Sequence, residues 1–261
     1  MPSPHDNDAV TISARDVYKS FRGKRVLSGL DLDVRRGETL VIIGRSGCGK
    51  SVFLKHIIGI MKPDSGRISI DGVDITGLKG DTLNNIRRKF GMVFQGAALF
   101  DSLTVGQNVG FYLYEYTQTD PAEIRETVEE KLRLVGMEGI QELKPAELSG
   151  GMKKRVSLAR AIAHDPGIVL YDEPTTGLDP IMADVINELI IKLSEQLDVT
   201  SVVVTHDMVS AYKIADRIAM MYGGKIIAVG SAQEIKESQD PFVQQFVTGR
   251  AVGPIDVIGG A

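Results

Sequence analysis

The sequence predicts an α/β protein with a mainly parallel sheet, and three observations predict it. An apolar run, Leu40-Val41-Ile42-Ile43, leads into the octapeptide Gly44-Arg45-Ser46-Gly47-Cys48-Gly49-Lys50-Ser51. An apolar stretch at helical spacing, Val52 to Ile58, follows it. Residues 168–172, 199–204 and 217–221 are further apolar runs of strand length with helical patterns between them, and strands that alternate with helices build a parallel sheet.

The octapeptide carries a chemistry. Strand, glycine loop and helix are the context of a phosphate-binding P-loop. Glycines let backbone N–H groups curl around phosphate oxygens, and the helix N-terminus adds donors and a positive dipole end. Lys50 can reach the outer phosphates, and the Ser51 hydroxyl can ligate Mg²⁺. The candidate nucleotide-binding stretch is Gly44, Arg45, Ser46, Gly47, Cys48, Gly49, Lys50, Ser51 and Val52. A glycine-rich turn that binds nothing is the competing reading, and the flanking strand and helix speak against it.

The 261 residues make one large or two small domains, and 43% hydrophobic with 25% charged residues is an ordinary core-forming composition. The net charge of −4 gives no basic face for nucleic acid. Lys153-Lys154-Arg155, the densest basic run, reads as a solvated helix face. Cys48 is the only cysteine, which excludes an internal disulfide and fits a reducing compartment. Met1 to Asp8 is polar without a signal-peptide core, and no apolar run approaches the ~20 residues that span a bilayer. The expectation is a soluble or peripheral protein.

In chain order, residues 10–18 and 25–34 read as two half-buried strands joined at Phe21-Arg22-Gly23-Lys24. Phe21 is either core or turn packing or an aromatic plate for an adenine ring. Pro63-Asp64-Ser65-Gly66 reads as a turn, and Arg67-Ile68-Ser69-Ile70 as a strand ending in the hairpin turn Asp71-Gly72. Residues 82–89 look helical, and Phe90 to Phe94 is a buried strand ending at Gln95. From 96 to 150 the character becomes helical. Val105 to Tyr116 and Pro121 to Val135 have helical spacing, with Ile124, Val128, Leu132 and Val135 on one stripe. Ile186, Ile190, Leu193 and Leu197 mark the apolar side of a helix after Asp179-Pro180. Tyr222-Gly223-Gly224-Lys225 is a hairpin turn, and 231–248 returns to helix. The tail, Thr248 to Ala261, carries Val252, Ile255, Val257 and Ile258, which gives it reason to dock.

Three constellations add to the loop. Ile168-Val169-Leu170-Tyr171-Asp172-Glu173-Pro174 is a buried strand releasing an acid pair at its C-terminal end, where α/β sheets bind ligands. Asp172 would hold Mg²⁺ and Glu173 would polarise the attacking water; a capping acid pair is the alternative. Leu148-Ser149-Gly150-Gly151-Met152 opens a helix from Lys153 to His164, and Ser149, Gly150 and Gly151 present N–H groups as a second anion cradle. One nucleotide has no use for two cradles in one chain, and a two-fold dimer resolves this. His206 ends the strand Val202-Val203-Val204-Thr205, where it could hydrogen-bond a γ-phosphate. Gln95 ends another strand, where its amide can sense water or metal; a polar loop residue is the alternative.

In this order, the phosphate loop, Gln95, Leu148-Ser149-Gly150-Gly151, Tyr171-Asp172-Glu173-Pro174, Gly177-Leu178-Asp179-Pro180 and His206 resemble the ATPase subunits of ABC transporters from about Val10 to Gly230. The resemblance implies a P-loop NTPase core with an antiparallel β subdomain and a helical insertion, and ATP with Mg²⁺ as cofactors. It implies that Phe21 stacks on adenine, Ser51, Gln95 and Asp172 serve the metal, and Gln95, Glu173 and His206 serve catalysis. Ser149, Gly150, Gly151 and the D-loop residue Asp179 then serve nucleotide binding. Met152 departs from the family's usual Gln. With Phe94-Gln95-Gly96-Ala97-Ala98-Leu99-Phe100 and Asp240-Pro241-Phe242-Val243-Gln244-Gln245-Phe246, it resembles the Mla-type phospholipid-transport subgroup.

That subgroup implies a homodimer, membrane permease subunits facing Ala97 to Phe100, an MCE-type periplasmic lipid-binding protein, a small accessory subunit and no nucleic acid. It implies a cytoplasmic chain, peripheral on the inner membrane. The expected division is 1–95, β subdomain and first part of the core; 96–150, helical subdomain; 151–238, second part of the core; and 239–261, a C-terminal helix and tail docking on the partner ATPase. The alternatives are an importer ATPase for amino acids or other small solutes, and a non-transport ABC protein acting on DNA or ribosomes.

Overall fold

The computed structural model of the chain describes residues 9–255. It divides into two compact units: one holds the chain up to Leu83 and again from Val204, the other runs Asn84–Val203.

The first unit begins with β1 (Val10–Phe21) and β2 (Lys24–Arg35), a long antiparallel pair closing at Phe21↔Lys24. Both strands run longer than their alternation predicts. The fully buried β3 (Thr39–Ile43) leads through the glycine loop into α1 (Lys50–Ile57). β4 (Ser65–Ile70) and β5 (Val73–Asp74) complete a sheet in the order β2-β1-β4-β5. Ser65 and Gly66, expected in a turn, belong to β4, which pairs with β1 as far as Tyr18↔Ser65. α2 (Gly80–Arg87) leads out of the unit.

In the second unit, β6 (Phe90–Val93) runs parallel to β7 (Ile168–Asp172), from Phe90↔Ile168 to Val93↔Tyr171. Between them come α3 (Val105–Tyr116), α4 (Pro121–Leu134) and α5 (Gly150–Ala161). Thr104 caps α3 in a reciprocal box with Gln107, and Asp120 with Pro121 starts α4, so local chemistry sets these boundaries. Ile124, Val128, Leu132 and Val135 are all buried, each worth about 1.5–3 kcal/mol by transfer. Gly91 is needed for close approach: a Cβ there would lie 2.1 Å from the carbonyl oxygen of Ala161. α5 can therefore close directly on β6. α6 (Pro180–Leu197) and β8 (Thr200–Thr205) follow, β8 lying beside β7.

The chain re-enters the first unit with α7 (Met208–Ile214), then the hairpin of β9 (Arg217–Tyr222) and β10 (Lys225–Gly230). β9 runs parallel to β3 from Leu40↔Arg217 to Ile43↔Met220. The helix expected over 231–248 is two helices, α8 (Ala232–Glu237) and α9 (Pro241–Val247). Asp240 accepts from the N–H groups of Phe242 and Val243, and Pro241 starts α9 anew. The tail docks on its own chain. The Ile255 N–H donates to Gln245 Oε1 at 2.6 Å, and Gln245 Nε2 returns a bond to the Ile255 carbonyl at 3.1 Å. Ile255 is buried and Val252 exposed, while Val257 and Ile258 lie outside the described residues.

Two histidines tie the fold to pH. Burial holds both His56 and His164 below the usual imidazole range; for His56 the Lys19 charge adds, against bonds to backbone carbonyls and the Asp64 charge. A pKa lowered on folding gives stability that is complete above the unfolded value, about 6.5, and is lost as pH falls below it. The urea midpoint is therefore expected to decline from pH 7.5 to 5.5, and His56→Gln to flatten that slope. An unchanged slope in the variant would remove His56 as its source.

Candidate active site

The phosphate loop in the first unit has a backbone that only its glycines allow. Gly44 sits at φ 153°, and a Cβ there would come within 2.4 Å of the Met221 carbonyl oxygen and 2.9 Å of Cys48 Sγ. The loop thereby turns out of β3 flush against β9. Lys50 is buried at the first position of α1, its Nζ donating to the carbonyl oxygens of Gly44 at 2.7 Å and Arg45 at 3.3 Å. The helix therefore opens on a lysine held against the loop itself. Arg45, Ser46 and Gly47 are exposed, Cys48, Ser51 and Val52 half-buried, and Gly49 buried. Phe21 is 40% exposed at the end of β1, with Lys19 Nζ 5.7 Å from its ring centre. His206 is exposed directly after β8, and Asp207 behind it caps α7 through the N–H groups of Val209 and Ser210.

The second unit carries the acid pair at the end of β7, Gln95 after β6 and Ser149 at the start of α5. Asp172 and Glu173 are each only 8% exposed at the exit of β7. Glu173 adopts φ 50°, a left-handed conformation that costs a non-glycine residue roughly 1–3 kcal/mol. Thr176 holds it twice: its N–H donates to the Glu173 carbonyl at 3.3 Å, and its hydroxyl to Glu173 Oε2 at 3.2 Å. Thr176 was not expected from the sequence, although its place three residues past the acid pair was a usable signal.

Ser149 is exposed and caps α5, accepting the Met152 N–H at 3.3 Å. Gly150 is exposed beside it and Gly151 is buried. Asp179 caps α6, accepting from Ile181 and Met182, both at 3.0 Å. Ile181, two residues on, is 77% exposed. Gln95 is exposed just after β6. The expectation that Lys153-Lys154-Arg155 is a solvated face fails at Lys154, which is 5% exposed. Burial lowers its pKa, against the attraction of Asp172 and Glu173. Its Nζ reaches the Gln95 carbonyl at 2.5 Å.

The donor set suits its expected ligands. A glycine loop on a helix N-terminus takes phosphate. Hydroxyl, amide and carboxylate oxygens suit Mg²⁺, which takes few protein ligands and completes its shell with phosphate and water. Among the described residues no three His, Cys, Asp or Glu converge on one point, as a dedicated protein cage for a metal would require.

A strand, a left-turning glycine loop and a helix opening on a buried lysine are the parts of a P-loop nucleotide-binding protein. The chain belongs to the ABC transporter family, whose model matches residues 27–176, and is its ATP-hydrolysing subunit. It is 43% identical to the intermembrane phospholipid transport system ATP-binding protein MlaF of Haemophilus influenzae, over 90% of this chain and 89% of that one. It is 42% identical to the probable ribonucleotide transport ATP-binding protein mkl of Mycobacterium leprae, over 94% of this chain and 71% of that one. Among solved structures, the dimeric ATP-binding cassette MJ0796 bound to ADP and Pi superposes with a TM-score of 0.78 at 34% identity, covering 85% of this chain and 98% of that one. No helix among the described residues is long and apolar enough to cross a membrane.

Proposed function

We propose that this chain hydrolyses ATP to drive phospholipid transport between the membranes of a Gram-negative-type envelope. It works as a homodimer beneath permease subunits, on the cytoplasmic face of the inner membrane. The observation that carries the catalytic part is Glu173: buried at a strand exit, left-handed, and gripped at both carbonyl and carboxylate by Thr176. A carboxylate held this way is aimed, as a general base must be before it can take a proton from water.

In this reading Glu173 Oε orients and deprotonates the attacking water. Lys50 and the N–H groups of Gly44 to Ser51 neutralise the phosphate oxygens, and His206 hydrogen-bonds the γ-phosphate. Ser51, Gln95 and Asp172 would hold Mg²⁺, which would supply charge neutralisation on the phosphates. Phe21 stacks on the adenine ring. Ser149, Gly150, Gly151 and Asp179 serve the nucleotide of the partner copy, which gives each of the two anion cradles a use. The permease meets the loop Ala97 to Phe100. An MCE-type periplasmic protein and a small accessory subunit complete the complex, and the C-terminal segment 239–261 serves the contact with the partner ATPase.

The relatives named for phospholipid transport, matched over about nine-tenths of both chains, support the lipid substrate. A small-solute importer is the second reading, favoured by the mycobacterial relative named for ribonucleotide transport. Isolation from membranes separates the two. The first predicts copurification with a multi-span permease and a lipid-binding protein, and ATP-dependent movement of phospholipid between vesicles. A complex that holds only a polar-solute receptor, and moves solute but no lipid, overturns it.

A further inference from the structure

We propose that Lys154 is a positioning residue for ATP hydrolysis: its ammonium ties the backbone at Gln95 to the backbone at Glu173, so that the loop after β6 and the acid pair keep one register. The inference rests on Glu173 being the base proposed above.

Lys154 lies in the second turn of α5, 5% exposed, with Nζ 2.5 Å from the Gln95 carbonyl oxygen and 3.4 Å from that of Glu173. A buried ammonium is costly unless its donors are satisfied, and here backbone carbonyls from two segments take two of its three. Six residues further along the same helix, Arg160 repeats the device. Its Nη1 donates to the Ala98 carbonyl at 2.6 Å and its Nη2 to that of Ala97 at 2.8 Å.

Both Ala97 and Ala98 are left-handed, at φ 61° and 50°, as is Glu173. Three non-glycine residues in that region persist only where surroundings over-determine them, and the two α5 cations bond the carbonyl of each. One helix therefore grips the loop at Gln95, Ala97 and Ala98 and, through Lys154 alone, the residue proposed as base. Any displacement of the loop is passed to the Glu173 backbone, and so to the direction of its carboxylate.

The test is steady-state ATP hydrolysis by the full-length chain. Lys154→Met, which keeps the stem and removes the donor, is expected to lower kcat by about 10- to 10²-fold, the cost of small misplacement of a reacting group, with KM for ATP unchanged. Lys154→Arg, which restores a charged donor, should recover most of the loss. In a Glu173→Gln background, Lys154→Met should slow turnover no further, because the two act through one group. Should Lys154→Met melt at the assay temperature, Lys154→Leu, which also lacks a donor, is read by the same three criteria. Unchanged kcat in Lys154→Met, no rescue by arginine, or an undiminished second loss in the double variant overturns the proposal. A Glu173→Gln chain that still turns over normally would instead overturn the assignment of the base, and is read without reference to Lys154.

Discussion

Replacing Glu173 by glutamine is expected to lower kcat for ATP hydrolysis by about 10²–10⁴-fold, the range of a general base, while nucleotide binding is retained. The substitution is close to isosteric. The amide oxygen can still accept from the Thr176 hydroxyl, now at 3.2 Å from Oε2, so the left-handed turn at φ 50° keeps its support. What disappears is the carboxylate's ability to take a proton. Glutamine keeps the length and shape of the side chain and adds no charge, so affinity for ATP is expected to stay within a small factor. Single-turnover hydrolysis and equilibrium nucleotide binding separate the two effects. Turnover at the native rate would remove Glu173 from the chemistry, and lost binding would make it structural.

Much of this architecture was legible in the residues. Val105–Tyr116 and Pro121–Leu134 lie where their apolar spacing puts them, because Thr104-Gln107 and Asp120-Pro121 state the starts in local chemistry. β7 matches its apolar run residue for residue, since a strand buried on both faces leaves no polar position to blur its ends. The break between α8 and α9 had a signal that outranked periodicity: Asp240-Pro241 is a helix start. Lys154 had none. A charged run on an amphipathic helix has a solvated face as its ordinary outcome, and nothing in sequence spacing reports a carbonyl 59 residues away. The same holds for Arg160, whose partners Ala97 and Ala98 lie more than sixty residues earlier. Motifs report groups that act on ligands; the groups that hold those groups in place are set by tertiary contacts and appear only in three dimensions.

Ser149→Arg is expected to abolish turnover by at least about 10²-fold, the size associated with losing one pre-organised donor to phosphate charge, without weakening ATP binding to the phosphate loop. The structure gives this variant a second consequence that must be separated from the first. Ser149 is the cap of α5, accepting the Met152 N–H at 3.3 Å, so any residue without a short acceptor costs about 1 kcal/mol of helix stability. α5 is also the helix that carries Lys154 and Arg160, and fraying at its start would reach the loop they grip. Ser149→Ala isolates that term: it loses the cap and adds no bulk or charge. In the two-copy arrangement the alanine variant should show a lowered melting temperature and a modest loss of rate. The arginine variant should match it in melting and fall far below it in turnover, because Ser149 and Gly150 are exposed at the start of α5 and a long cation there would fill the place that the proposed arrangement gives to the partner's triphosphate. Sedimentation of the Glu173→Gln chain with ATP supplies the companion measurement. That chain should pair, and Glu173→Gln with Ser149→Arg should stay single. If the arginine variant hydrolyses ATP at the alanine variant's rate, the second cradle is only a helix cap, and each chain completes its chemistry alone.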